Sequence, residues 1–268
     1  MRTVDLHPPG GSVTVMRDGD IATVTLFHPD RLNAISVAMW RGLREHFERL
    51  STDETLRCIV VRGAGGNFAA GADIAEFPEV RHGSAGVRAY HLDIIKPALQ
   101  AVRDCPHPTV AAIDGVCVGG GLEIACHCDL RIATASARFG VPINRLGFPM
   151  APDELAGLLA LAGRAVTLEI LLEGRVFGAR EALQKGLLTR VVADGELARE
   201  ISLTTQRIAQ GAPLAARFNK RIIERLSPAV EPLTAEELDQ CFAYCDTADH
   251  AEGIRAFLDK RLPRFVGR

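Results

Sequence analysis

Apolar residues recur along this chain with two different periods, and the change between them divides it. Alternating runs at 13–16 and 21–27, on either side of Arg17-Asp18-Gly19-Asp20, predict an opening β-hairpin. Ser36 is placed to cap a helix in which Met39, Leu43, Phe47 and Leu50 recur at three- and four-residue spacing, an apolar stripe suited to packing on a sheet. Short continuous apolar runs at 58–61, 109–113 and 130–133 read as buried strands, with helical patterns at 87–103 and 120–127 between them. This strand–loop–helix repetition implies a mainly parallel sheet covered by helices. From Asp153 onward the pattern is helical at 153–162, 166–173 and 179–185, with one strand at 189–192. Beyond residue 196 it is almost wholly helical, punctuated by Gly211, Pro213, Pro228 and Pro232.

Composition narrows the function classes. The 268 residues, 47% hydrophobic and 24% charged, suit one large α/β domain or one domain with a helical appendage. An aromatic content of 5% argues against a stacking platform for single-stranded nucleic acid. A net charge of −2 removes the bulk electrostatic reason to expect nucleic-acid or membrane binding. Arg255, Lys260, Arg261, Arg264 and Arg268 form a local basic tail that reads equally as a phosphate contact or a solvated helix face.

The 7 cysteines make an odd count without secretory context, which points to reduced thiols and a cytoplasmic protein. Neither Cys126-His127-Cys128 nor the Cys241/Cys245 pair has the repeated spacing of a zinc site, so no metal is expected. Residues 1–10 contain no signal-type apolar region, and the apolar run at 155–163 is far short of a bilayer span.

The chemistry concentrates in two glycine-rich segments, Ala69-Ala70-Gly71-Ala72-Asp73-Ile74 and Val118-Gly119-Gly120-Gly121-Leu122-Glu123. The second falls between a strand and a helix, where missing side chains admit a ligand to the backbone and the helix start offers unpaired N–H groups. Leu122, Ile124 and Ala125 make that helix look buried, and a buried Glu123 needs a reason. No dinucleotide fingerprint, P-loop or nucleophile elbow occurs.

Together with Phe139-Gly140-Val141-Pro142 and the C-terminal Ala248-Asp249-His250-Ala251-Glu252-Gly253, these segments resemble the crotonase (enoyl-CoA hydratase/isomerase) family over about residues 13–265. The resemblance implies an α/β fold, a spiral of ββα repeats over residues 1–195 with a C-terminal helical, trimer-forming region at 196–268. It implies that the backbone N–H groups of Ala72 and Gly120 hold a thioester oxygen, that Glu123 transfers protons, and that Arg31, Ala70, Asp73, Ile74 and Lys260 contact the coenzyme A moiety. The implied substrate is an acyl-CoA thioester in a homotrimer or dimer of trimers, with no separate cofactor.

One departure stands out. Hydratases of the family place a second glutamate directly after the proline, where this chain has Ile143. Asp153 and Glu154 lie where relatives enter the next helix, and some dienoyl isomerases and acyl-CoA hydrolases carry an acid in that loop; the pair reads equally as an ordinary acidic helix start. Arg145 is a further candidate, for a carboxylate on the acyl group. The expected reaction is hydration of a 2-enoyl-CoA. The alternatives are double-bond isomerisation by Glu123 alone and a non-catalytic CoA-ester-binding paralogue.

Overall fold

The first two strands pair as the apolar alternation requires. β1 (Ser12–Asp18) and β2 (Ile21–Phe27) form an antiparallel hairpin, and β2 turns Ala22, Val24 and Leu26 into the core. The computed structural model describes residues 11–227 and 233–267; residues 1–10, Pro228, Pro232 and Arg268, used in reading the sequence, lie outside them. α1 (Val37–Ser51) starts at Ser36, whose Oγ accepts from the Met39 N–H at 3.2 Å, and buries Met39, Trp40, Leu43, Phe47 and Leu50. β3 (Cys58–Gly63) follows, buried over its first four residues.

A helical rod comes next: α2 (Phe77–Val80), α3 (Gly83–Ala89), a π-helical turn at Tyr90–Ile95, and α4 (Lys96–Arg103). The sequence predicts one regular helix over 87–103; the wide turn in its middle is a correction. Then come β4 (Thr109–Ile113), β5 (Val116–Val118), α5 (Gly120–His127), β6 (Leu130–Thr134) and β7 (Arg138–Gly140). α6 (Pro152–Glu173), β8 (Phe177–Gly178), α7 (Ala179–Gln184) and β9 (Arg190–Val192) complete the sheets. The helices α8 (Leu197–Gln210), α9 (Pro213–Leu226), α10 (Ala235–Phe242) and α11 (Ala248–Leu258) end the chain.

The main sheet has the order β1-β2-β3-β4-β6-β9 and is parallel after the first hairpin. β5, β7 and β8 make a second, smaller sheet that the sequence reading does not anticipate. Each inner strand of the main sheet is followed by a short segment in this second layer. Ala69 bridges to Cys117 after β3, β5 follows β4, and β7 follows β6. That succession of two strands and a connection is the expected spiral. α8 closes one face of the main sheet by packing Leu197, Ile201 and Ile208 against Cys58, Val110 and Ile132.

α6 is the one described helix long and apolar enough to cross a membrane by length and composition. Gly163 interrupts it with φ 72° and ψ 169°, which splits it near the two segments expected at 153–162 and 166–173. Neither half approaches the roughly 20 residues a bilayer span requires.

Candidate active site

Two glycine loops meet at the floor of a cavity of about 500 Å³. Gly71 has φ 102° and Gly119 has φ 51°, values that only glycine adopts without strain. A Cβ on Gly71 would lie 3.8 Å from the Gly120 nitrogen, and one on Gly119 would lie 3.6 Å from the Gly71 Cα, so the loops are in contact. Ile35 donates to Gly71 O at 2.7 Å and accepts from Asp73 N at 3.0 Å, which turns the N–H of Ala72, between them, away from Ile35. Gly120 opens α5, where the first N–H groups have no helical acceptor. Neither N–H donates to another group among the described residues.

Gly121 serves packing. A Cβ there would sit 2.4 Å from Ala69 O, so the glycine lets α5 press against the first loop and fixes the spacing between the two donors.

Glu123 lies one turn into α5, is 6% exposed and lines the cavity. Burial pushes its carboxyl well above the usual carboxylate range, and the negative charge of Glu154 pushes it the same way. Glu154, from the first turn of α6, is 5% exposed and lines the same cavity. Its Oε1 is 2.5 Å from His91 Nδ1. His91 Nε2 is 3.1 Å from Arg81 Nη2 and 3.3 Å from the Tyr244 hydroxyl, which also accepts from Arg81. The Arg81 guanidinium lies 4.2 Å from the Phe77 ring centre and 4.3 Å from that of Phe148. These π faces stabilise a buried cation whose Nε and Nη1 have no hydrogen-bond acceptor among the described residues.

The rest of the lining is mixed: Ile143, Leu146, Phe257, Leu258, Leu262 and Pro263 are apolar, while Arg145 and Arg261 bring charge. Gly253 of α11 fits against Leu146, and a Cβ there would meet the Leu146 carbonyl carbon at 2.4 Å. The C-terminal motif and the segment after Pro142, far apart in sequence, are therefore one piece of wall.

A family model described as enoyl-CoA hydratase/isomerase matches residues 17–268. This chain belongs to the enoyl-CoA hydratase/isomerase family. It is 34% identical over 261 residues to a probable enoyl-CoA hydratase of Mycobacterium tuberculosis, covering 96% of this chain and 98% of that one. A crystal structure of an enoyl-CoA hydratase/carnithine racemase from Magnetospirillum magneticum is 48% identical, covers 97% of this chain and 98% of that one, and superposes with a TM-score of 0.79. A methylmalonyl-CoA decarboxylase solved with 2-nitronate-propionyl-CoA superposes with a TM-score of 0.85 at 28% identity, covering 96% and 99%. The fold is thus shared by hydratase-named relatives and by a decarboxylase.

Most residues singled out in this enzyme's sequence meet in the cavity: Ala72, Gly120 and Glu123 at its floor, and Arg31, Ala70, Asp73 and Ile74 along its lining. Arg31 lies 3.6 Å from Asp73. Asp153 and Lys260 are not among the residues that line the cavity. Asp153 turns to the surface and pairs with Lys96 at 3.1 Å, because successive residues of a helix start point in different directions. Lys260 is exposed, with φ 54°, while its neighbour Arg261 lines the cavity and pairs with Glu252. Arg145 also lines the cavity, exposed and without an ion pair among the described residues.

Sequence reasoning missed Arg81, His91 and Tyr244. The signal available was His91 within the apolar stripe Val87, Tyr90, Ile94, Ile95, Ala98, a polar side chain at a core position. His107 and His127 bond to the backbone oxygens of Leu50 and Glu123, in keeping with structural roles. Among the described residues no group of three or more His, Cys, Asp or Glu could hold a metal.

Proposed function

We propose that this enzyme adds water across the double bond of a 2-enoyl-CoA, with Glu154 supplying the acid–base group that Ile143 removes. The observation carrying this reading is that Glu154 and Glu123 line one cavity together with the Ala72 and Gly120 loops. Two carboxyls in different environments divide acid and base work. Glu123, which holds its proton, is the acid; Glu154, which accepts from His91, is the base.

In this scheme Glu154 takes a proton from water as its oxygen bonds to the β-carbon. The π electrons move onto the thioester oxygen, where the Ala72 and Gly120 N–H groups stabilise the enolate. Glu123 then protonates the α-carbon, and a proton returns from Glu154 to Glu123 to complete the cycle. One oxyanion donor of this kind is worth about 2.7–4 kcal/mol. Arg31 and Arg261 at the cavity, with Lys260 beside it, are the basic groups for the coenzyme A phosphates. Exposed Leu214, Phe218, Ile223 and Leu226 of α9 support assembly into trimers.

The test is hydration of a panel of 2-enoyl-CoA thioesters, followed by loss of the conjugated thioester absorbance. Glu154→Gln should lower kcat about 10²- to 10⁴-fold. Asp153→Asn should leave it near that of the unaltered enzyme. Full hydration by Glu154→Gln would remove Glu154 from the reaction and leave Glu123 as its acid–base group, whereas appearance of the conjugated chromophore from a 3-enoyl-CoA with no hydration would replace this reading with isomerisation by Glu123. Binding without turnover would favour a CoA-ester-binding role.

A further inference from the structure

Glu154 is held by a partner whose own proton is assigned by what surrounds it. A guanidinium only donates hydrogen bonds. With Arg81 Nη2 3.1 Å from His91 Nε2, that nitrogen must accept, so it carries no proton. Tyr244 reinforces the assignment. Its hydroxyl oxygen accepts from Arg81, which leaves its own hydrogen for Nε2 at 3.3 Å. Burial pushes the Tyr244 phenol up to about 12, so that hydrogen stays in place at neutral pH.

The remaining ring nitrogen, Nδ1, therefore bears the proton, and it faces Glu154 Oε1 at 2.5 Å. The ring cannot swing away. It stacks on Phe242 with centroids 5.5 Å apart and meets the Tyr90 ring edge-on at 5.4 Å. Glu154 Oε2 has no hydrogen-bond partner among the described residues, which leaves that oxygen for a water.

From this arrangement we infer that His91 is a positioning residue, locked as the neutral Nδ1–H tautomer by Arg81 and Tyr244, which pins one oxygen of Glu154 and aims the other at the attacking water. The inference rests on the hydration reading above. It assigns the chain Arg81–His91–Glu154 to the reaction, and it brings in Tyr244 from the C-terminal region to hold the base.

Two amide substitutions separate the halves of the arrangement. His91→Asn places an N–H near the Nδ1 position and abandons the Nε2 side; His91→Gln reaches the Nε2 side and abandons Glu154. With a 2-enoyl-CoA, His91→Asn should retain more of kcat than either of the other two substitutions. His91→Gln and His91→Leu should lose about 10²-fold, the penalty for a reacting group misplaced by about 1 Å, with KM unchanged in all three. Equal losses in the Asn and Gln variants, or full kcat in the Gln variant, would overturn the inference and leave His91 a packing residue.

A second readout does not depend on turnover. Nitrogen-15 spectra of the histidine-labelled enzyme should show a neutral Nδ1–H ring that vanishes in His91→Asn, and an Nε2–H ring in its place refutes the assignment. If the unaltered enzyme hydrates no thioester, the proposed reaction and the orienting role of His91 both fall, while the nitrogen spectra still decide the proton's position.

Discussion

At Glu123, burial and reactivity pull against each other. Its carboxyl keeps a proton above the ordinary value of 4.5, where the unfolded chain has already lost it, so the native state binds more protons there. The contribution of this group to stability therefore falls as pH rises above 4.5 toward its folded value. A neutral amide escapes that cost. Glu123→Gln should melt higher than the unaltered enzyme at pH 8, with the gap closing as pH is lowered toward 5, while activity drops about 10²- to 10⁴-fold. A variant that melts lower at every pH contradicts this account. On the proposed mechanism, activity of the unaltered enzyme should decline on the alkaline side as Glu123 loses its proton. At this scale the sequence was informative where chemistry and backbone coincide, as at Gly120 and Glu123. It was ambiguous between Asp153 and Glu154, because composition does not say which face of a helix start looks inward. It placed His91 within an apolar stripe without revealing a role, since nothing local distinguishes a satisfied core histidine from one that orients a base.

Elements of five residues or more, such as α1 with its Ser36 cap, α5, and the buried strands β3, β4 and β6, were legible because each carries its own apolar pattern. The three strands of the second sheet span only two or three residues each, too few for any period to show. The π-helical turn at Tyr90–Ile95 escaped for another reason. A wide turn leaves the apolar spacing on both sides intact and rotates one segment against the other, which here brings Tyr90 and His91 to the cavity. The fit between α5 and the first glycine loop is equally invisible locally, and it is testable. Gly121→Ala puts a methyl 2.4 Å from Ala69 O, so the helix must retreat. The expected cost is about 1–3 kcal/mol in thermal unfolding, with activity reduced as the Ala72 and Gly120 donors separate. An unchanged melting temperature would mean the loop yields without strain.

For the whole molecule, the exposed apolar side chains gather on the C-terminal helices and tail. On α9, Leu214 is 74%, Ile223 66% and Leu226 77% exposed, and no residue of that helix is buried. Light scattering after size exclusion should find an assembly, and Ile223→Asp with Leu226→Asp should shift it toward the single chain. A monomer at all concentrations in the unaltered protein would remove this reading. The succession of sheet then helices was readable from periodicity, but which helix faces solvent was not, because an amphipathic stripe looks the same whether it meets its own core or another copy. The cavity wall runs from Arg31 near one end of the chain to Pro263 near the other. During synthesis, then, the glycine loops and both glutamates emerge long before the residues that close over them. A nascent chain can hold a formed sheet and still have no enclosed site until its last turn of helix has left the ribosome.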